Sequence, residues 1–507
     1  MIGRGIPKSE SYWSKWSAFK IGERERNRLR SEVFALGIPC RIFHRERESM
    51  TEDTISQIAT PQGTGGIGII RVSGADALNI ARAVFRPMRG TLEEIAPYTA
   101  RYGNIVAADG TIIDECILLF MRAPHSYTGE DTVELQCHGG TIVLRSVLQR
   151  TWEAGARPAA AGEFTKRAFL NGRLDLARAE GVMELINARS SRAARAARER
   201  LAGALSREIT AIRTRLLGAI ARIEAGIDFP EDDIPAASAA ALRADISDAA
   251  AAVQKLLTGA YAGRILRMGV KTVIVGRPNV GKSSLLNALL GTERAIVTDV
   301  PGTTRDVIEE EVSVEGIPLR LIDTAGLRAA EDEVERLGVA RTEQHLGDAE
   351  LILAVFDSSA ALTDEDRELI ARLRTMNAHI IILCNKEDCA SVLRVTDFDE
   401  INAPVLMISA QAGTGLDALR ETIAARVRAL EGDLGDGALP NKEREIEALS
   451  RTARHLTEAE RSLDEEMDMD FISIDLRGAY ETLGEILGET LDTDLIDRIF
   501  SEFCIGK

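Results

Sequence analysis

Apolar positions change their period several times along this chain. From Thr54 to about Thr151 they come in short runs separated by turn residues, beginning with Ile55-Ser56-Gln57-Ile58-Ala59 and Gly66-Ile67-Gly68-Ile69-Ile70-Arg71-Val72. Asp109-Gly110, set between Ile105-Val106 and Ile112-Ile113, predicts a hairpin. This stretch reads as an α+β domain. From about Leu174 to Ala225 the spacing turns helical, as in Leu201, Leu205, Ile209, Ile212, Leu216 and Ile220. After a break at Asp228-Phe229-Pro230-Glu231-Asp232-Asp233, a second Ala-rich helix is expected to about Gly263. Lys271 to about Leu430 then alternates strand candidates with helices: Thr272–Val275, Leu319–Ile322, Leu351–Phe356, Ile380–Leu383 and Val405–Ile408. That alternation predicts a parallel α/β sheet. Helical spacing resumes over Lys442–Glu466 and Ile474–Phe503. The α/β unit therefore sits between two halves of one helical domain, as is feasible when domain termini lie close together.

Composition narrows the function classes. A chain of 507 residues exceeds one ordinary core, and a net charge of −17 argues against a generic basic nucleic-acid binder, leaving any RNA contact to a local patch. The longest apolar runs are broken by charges well before a membrane span is reached, so no membrane association is expected. Six scattered cysteines with no C-x-x-C pair suit a reducing cytoplasm. Residues 1–49 are basic, lack the apolar core of a secretory signal and are expected to be a poorly ordered extension or a mis-assigned start.

Chemistry concentrates in the α/β segment. Gly276-Arg277-Pro278-Asn279-Val280-Gly281-Lys282-Ser283 follows a strand and leads through Ser284 into a helix, the context of a phosphate-binding loop. Its glycines let backbone N–H groups turn toward phosphates at a helix N-terminus. Lys282 is expected to reach the β- and γ-phosphates and Ser283 to ligate Mg²⁺. Asn385-Lys386-Glu387-Asp388 closes a later strand. A carboxylate at Asp388, read as buried, can accept from guanine N1–H and the 2-amino group, donors that adenine lacks, so GTP is favoured over ATP. Ser409-Ala410-Gln411 lies where a backbone N–H can meet the guanine O6. Asp323-Thr324-Ala325-Gly326 ends the strand Leu319–Ile322, near the Mg²⁺ shell and the γ-phosphate, and Pro301-Gly302-Thr303-Thr304 offers a Mg²⁺-ligating hydroxyl at Thr304. These elements, in this order, resemble the Ras-like GTPases of the translation-factor class.

Leu327 stands where signalling GTPases carry a water-orienting Gln. The acidic run Glu331-Asp332-Glu333-Val334-Glu335 offers a substitute carboxylate, and equally reads as a solvated helix start.

Three further signatures extend the likeness: Ala59-Thr60-Pro61-Gln62-Gly63-Thr64-Gly65-Gly66 running on to Gly74, Gly129 to Gly140, and Gly162 to Asp175. With the terminal Phe503-Cys504-Ile505-Gly506-Lys507, residues 50–507 resemble the tRNA modification GTPase (MnmE, or TrmE) family. The resemblance implies a multidomain fold: an α+β tetrahydrofolate-binding and dimerisation domain at 50–170, a helical domain at 171–268 and 431–507, and a Ras-like P-loop G domain at 269–430 inserted into it. It implies a homodimer and a folate one-carbon donor, 5,10-methylene- or 5-formyl-tetrahydrofolate, held by residues matching Arg71, Glu134, Arg173 and Lys507. It also implies a K⁺ ion in place of an arginine finger, held by residues matching Asn279, Thr298, Val300 and Thr303, with Asp299 and Pro301 in the same loop. Glu335 matches the residue that orients the hydrolytic water.

By the same resemblance, the chain pairs with the flavoprotein MnmG (GidA) in a heterotetramer. Together they add an aminomethyl or carboxymethylaminomethyl group at C5 of the wobble uridine of certain tRNAs. Cys504 reads either as a thiol acting near that chemistry or as a packed residue that places Lys507. Cys137-His138 reads as packing, since neighbours on a strand face opposite ways. Arg189, Arg192, Arg195, Arg198 and Arg200 form a possible basic stripe for tRNA, weighed against a solvated face beside acidic partners. The alternative function is a regulatory GTP switch in ribosome or RNA assembly.

Overall fold

The structure, a computed structural model, describes residues 53–61, 63–93, 95–188, 190–228, 239–291, 310–322, 346–347, 349–376, 378–431 and 439–507. These fall into two compact units. One holds the described residues up to Ser126 with Glu130–Ala159, the other Tyr127–Gly129 with Ala160–Lys507.

The first unit is built on a seven-stranded sheet. Its strands are β1 (Ile55–Ile58), β2 (Ile67–Ser73), β3 (Phe85–Pro87), β4 (Thr99–Val106), β5 (Ile112–Met121), β6 (Thr132–His138) and β7 (Arg157–Pro158), in the order β3-β4-β5-β6-β2-β1-β7. The β4–β5 connection is the hairpin expected at Asp109-Gly110, with Gly110 at φ +88°. Alternation along β2 buries Ile70 and Val72 against α1 (Ala77–Val84) and α2 (Thr141–Glu153). Gly68 lets α2 approach, for a Cβ there would stand 2.4 Å from the Leu144 side chain.

The second unit opens with α3 (Glu163–Leu170), α4 (Leu176–Asn187), α5 (Ser191–Leu201), α6 (Ala204–Asp228) and α7 (Ala239–Met268). Helix α7 outruns its expected end and leads through Gly269, at φ +75°, straight into the next strand. A six-stranded sheet follows: β8 (Val270–Val275), β9 (Glu310–Val314), β10 (Ile317–Ile322), β11 (Leu351–Asp357), β12 (His379–Asn385) and β13 (Val405–Met407), in the order β13-β12-β11-β8-β10-β9. All five expected strands are present and mutually parallel. The sheet is not wholly parallel, because β9 joins the edge antiparallel to β10 through a tight turn at Glu315 and Gly316. Helices α8 (Lys282–Leu290), α9 (Asp364–Leu373) and α10 (Leu416–Glu431) accompany it.

Last come α11 (Glu443–Asp464), α12 (Met469–Leu487) and α13 (Thr493–Ser501), where Gly488 at φ +85° breaks the single helical stretch expected from Ile474 to Phe503. Every strand of the six-stranded sheet lies in sequence between α7 and α11, yet these two helices share one apolar core with α6 and α12. Among the described residues no helix is long and apolar enough to cross a membrane.

Candidate functional site

Parallel strands end at the same edge, so the loops after β8, β11, β12 and β13 gather there. The loop after β8 is shaped by three left-handed residues, Gly276 (φ +150°), Asn279 (φ +63°) and Gly281 (φ +100°). A Cβ on Gly276 would stand 2.2 Å from the Val355 carbonyl, and one on Gly281 would stand 2.1 Å from the Asn385 amide nitrogen. Gly281 is also the N-cap of α8 and supplies no side-chain cap. The first amides of that helix are thereby available to an anion, beside the positive end of its dipole. Lys282 lies across the loop, its Nζ donating to the carbonyls of Gly276 at 2.7 Å and Arg277 at 2.9 Å. Ser283 and Ser284 are exposed on the first turn, and Val280 is buried.

Asn385 ties three loops together. Its side chain is buried; Nδ2 donates to the Val280 carbonyl at 2.8 Å and Oδ1 accepts from the Ala410 N–H at 2.9 Å. Lys386, at φ +71°, sends its ammonium to Asp357 at 2.6 Å. Burial opposes the Asp357 charge, but the Lys386 and Ser359 hydrogen bonds outweigh it and hold the carboxyl below the usual range. Asp388 stands exposed at the loop tip, contrary to the buried carboxylate expected there, because β12 ends three residues earlier. A hydrogen bond from Ser409 and its own N–H hold its carboxyl below the usual value. Gln411 is exposed in the loop closed by the Ser409–Thr414 bridge.

Elsewhere, Arg71 and Glu134 face each other across β2 and β6, the guanidinium reaching one carboxylate oxygen through Nε at 3.0 Å and an Nη at 2.8 Å. Arg173 and Lys507 belong to the second unit. There the terminal segment is docked: Ile505 bridges Ala161, and the Cys504 carbonyl accepts from Gly162 at 3.4 Å and from Lys507 at 3.3 Å. Gly162 is needed at this approach, since a Cβ would stand 2.4 Å from the Phe500 carbonyl. Cys504 is exposed and forms no disulfide.

The sequence of this chain matches the family description "MnmE helical domain" over residues 176–504 and "GTP-binding protein TrmE N-terminus" over residues 54–173. A tRNA modification GTPase MnmE of Symbiobacterium thermophilum is 49% identical over 461 residues, covering 90% of this chain and 100% of the relative. Another, from Desulforamulus reducens, is 46% identical over 90% of this chain and 100% of its own length. The chain belongs to the MnmE family of tRNA modification GTPases. The crystal structure of the G domain of the T. maritima FeoB iron transporter is 29% identical over 31% of this chain and 99% of that one, at a TM-score of 0.24.

As an MnmE-family member, this chain is a GTPase of tRNA modification. The structure brings Gly276, Asn279, Val280, Gly281, Lys282, Asn385 and Ala410 together at one sheet edge. Thr298, Asp299, Val300, Pro301, Gly302, Thr303, Thr304, Asp323, Thr324, Ala325, Gly326 and Glu335 lie outside the described residues, as do residues 1–49 and Arg189. Of the arginine stripe, Arg200 is only 1% exposed and is bonded to Glu445 and Glu180, so it is not available to tRNA. Arg195 pairs with Glu199 at 3.5 Å. Cys137 is packed in the sheet core, while His138 is exposed and bonded to Asp114 at 2.7 Å, so the two form no dyad.

Two residues of this edge carry no motif and escape a reading by motif: Asp357, which holds Lys386, and Asp366, which faces Arg277. The only signal for Asp357 is its place at the end of a buried strand, and Asp366 reads as an ordinary helix-start acid.

Proposed function

We propose that this chain binds GTP at the edge formed by the loops after β8, β12 and β13, and couples its hydrolysis to formation of an aminomethyl or carboxymethylaminomethyl group at C5 of the wobble uridine of certain tRNAs. The observation that carries the reading is the buried Asn385 side chain, which joins the phosphate loop at Val280 to the base loop at Ala410. A nucleotide spanning both loops would set its phosphates at the first and its base at the second.

In this reading Gly276 to Ser284 wrap the phosphates, and Asp388 selects guanine with help from Asn385, Lys386, Ser409, Ala410 and Gln411. Lys282 neutralises the β- and γ-phosphates. Ser283 and Thr304 hold Mg²⁺, whose charge offsets that developing on the transferred group. The glycine cradle and the uncapped α8 support the phosphate end. Asp299, Val300, Pro301 and Gly302, with Asp323, Thr324, Ala325 and Gly326, complete the surroundings of the γ-phosphate. Glu335 orients the attacking water. Asn279, Thr298, Val300 and Thr303 hold K⁺ between paired G domains of a homodimer.

Arg71, Glu134, Arg173 and Lys507 hold a tetrahydrofolate derivative that supplies the one-carbon unit. The Arg71 guanidinium, fixed by Glu134, is a preorganised cation for a ligand carboxylate. The proposed domains are 50–170 for folate and dimerisation, 171–268 with 431–507 for the helical domain, and 269–430 for an inserted G domain. MnmG is the proposed flavoprotein partner in a cytoplasmic heterotetramer, and Cys504 is the proposed thiol at the tRNA chemistry.

The test is mass spectrometry of wobble nucleosides in tRNA from cells lacking this chain, then after restoring it intact or as Cys504→Ser. Loss and rescue of a C5-modified uridine is the expected result, with reduced rescue by the serine variant. An unchanged nucleoside profile would overturn the tRNA chemistry and favour the assembly switch.

A further inference from the structure

The phosphate loop rests on three supports. Gly276 abuts the Val355 carbonyl, and the Val280 carbonyl accepts from Asn385 at 2.8 Å. The third support is a charge pair, with Arg277 Nε standing 3.3 Å from Asp366 Oδ2. Asp366 is 3% exposed and the Arg277 side chain 23%. Oδ2 of Asp366 already accepts from the Thr363 N–H at 3.0 Å and the Thr363 hydroxyl at 2.8 Å, closing the capping box of α9. Its Oδ1 is buried without a hydrogen-bond partner, and so is Arg277 Nε. A buried donor and a buried acceptor of one ion pair thus have unused capacity, which costs free energy until they align.

The Arg277 carbonyl is one of the two that receive the Lys282 ammonium. Any force on Arg277 is therefore a force on the cation expected at the β- and γ-phosphates. We propose that Asp366 is a positioning residue for GTP hydrolysis: through Arg277 it sets the phosphate loop and the stance of Lys282. It lies outside every nucleotide-binding motif, on the first turn of α9, and touches the reaction only through Arg277.

The experiment uses the full chain with Asp366→Asn, Arg277→Gln and the double variant. Asn at 366 can still accept from Thr363, so the cap of α9 persists while the charge facing Arg277 is removed. Each single variant should lower kcat/KM for GTP by roughly fivefold to tenfold, the effect of losing one ordinary hydrogen bond's net contribution. The double variant should be no worse than the poorer single one. Preference for GTP over inosine triphosphate should stay unchanged, because the base loop rests on Asn385 and Ser409 instead, and Arg277→Lys should restore part of the loss. Normal hydrolysis by Arg277→Gln, which leaves the α9 cap intact, would overturn the proposal even if Asp366→Asn failed to fold. Additive losses, or a parallel loss of base preference, would overturn it as well.

Discussion

Asn385 uses both ends of a single amide to join the loop at Val280, 105 positions before it, to the loop at Ala410, 25 positions after it, and it is buried while doing so. Asp388, three positions on, is exposed and has only Ser409 and its own loop to hold it. The two residues are therefore placed for different tasks, Asn385 for loop geometry and, in the proposed reading, Asp388 for the base. Asp388→Asn should leave the fold intact and shift nucleotide preference from GTP toward xanthosine triphosphate, because an amide cannot accept both guanine donors. Competition binding with the two nucleotides checks this, and unchanged GTP affinity would remove Asp388 from base recognition. His138 shows how far the surroundings decide a residue's role. Its hydrogen bond to Asp114 raises its pKa above 6.5, while its neighbour Cys137 is packed against Cys116, whose thiol is pushed up chiefly by that contact.

At the scale of elements, a dense cluster of buried charge among the described residues lies away from the nucleotide edge, among α4, α5 and α11. Arg200 lies between Glu180, Glu184 and Glu445, and donates to the Leu439 carbonyl at 3.3 Å just before α11 begins. Arg444 reaches Glu180 at 3.1 Å. Burial drives the Glu180 carboxyl above its usual range despite both arginines, whereas at Glu445 the same penalty is outweighed by Arg200 and Arg444, which hold it low. Removing one member strands the others without water. Arg200→Met should therefore destabilise the helical unit by ~3–5 kcal/mol, the usual cost of breaking a buried pair. Urea unfolding followed by far-ultraviolet circular dichroism measures it, and a loss within experimental error would mean that the cluster is solvated. Helix α7 has a related task, since Gly263 accepts the returning chain: a Cβ there would stand 2.3 Å from the Pro440 carbonyl.

On the scale of the whole molecule, the phosphate edge and the helical bundle belong to one compact unit, with α7 leading directly into the strand that ends at the phosphate loop. Arg267 Nε donates to the Asn441 carbonyl at 3.0 Å, binding the exit of α7 to the entry of α11. A change at the nucleotide edge thus has a covalent and hydrogen-bonded route into the helices. If G domains pair around K⁺ held in part by Asn279, replacing K⁺ by Na⁺ should slow hydrolysis on the order of a hundredfold, as for loss of one electrostatic stabiliser of the transition state. Asn279→Ala should erase the difference between the two salts. Steady-state phosphate release in each salt reads both, and equal rates for the unaltered chain would exclude the ion.

The sequence by itself determined the five parallel strands of the second sheet and the glycine turns between β8 and α8. A left-handed residue at Gly276 or Gly281 admits little but glycine, and a buried parallel strand admits little but aliphatic residues, so both constraints are written locally. Tertiary structure decided the partners. Arg200 stands two residues after Arg198, off the three-residue spacing of Arg192, Arg195 and Arg198 on α5, and its acidic partners come from α4 and α11. Strand β9 is short, acidic and half apolar, and only the edge of β10 gives it a place. Asp357 and Asp366 acquire their roles from side chains far away in sequence. Period and motif report what one segment requires of itself, whereas ion pairs and edges depend on which segments meet.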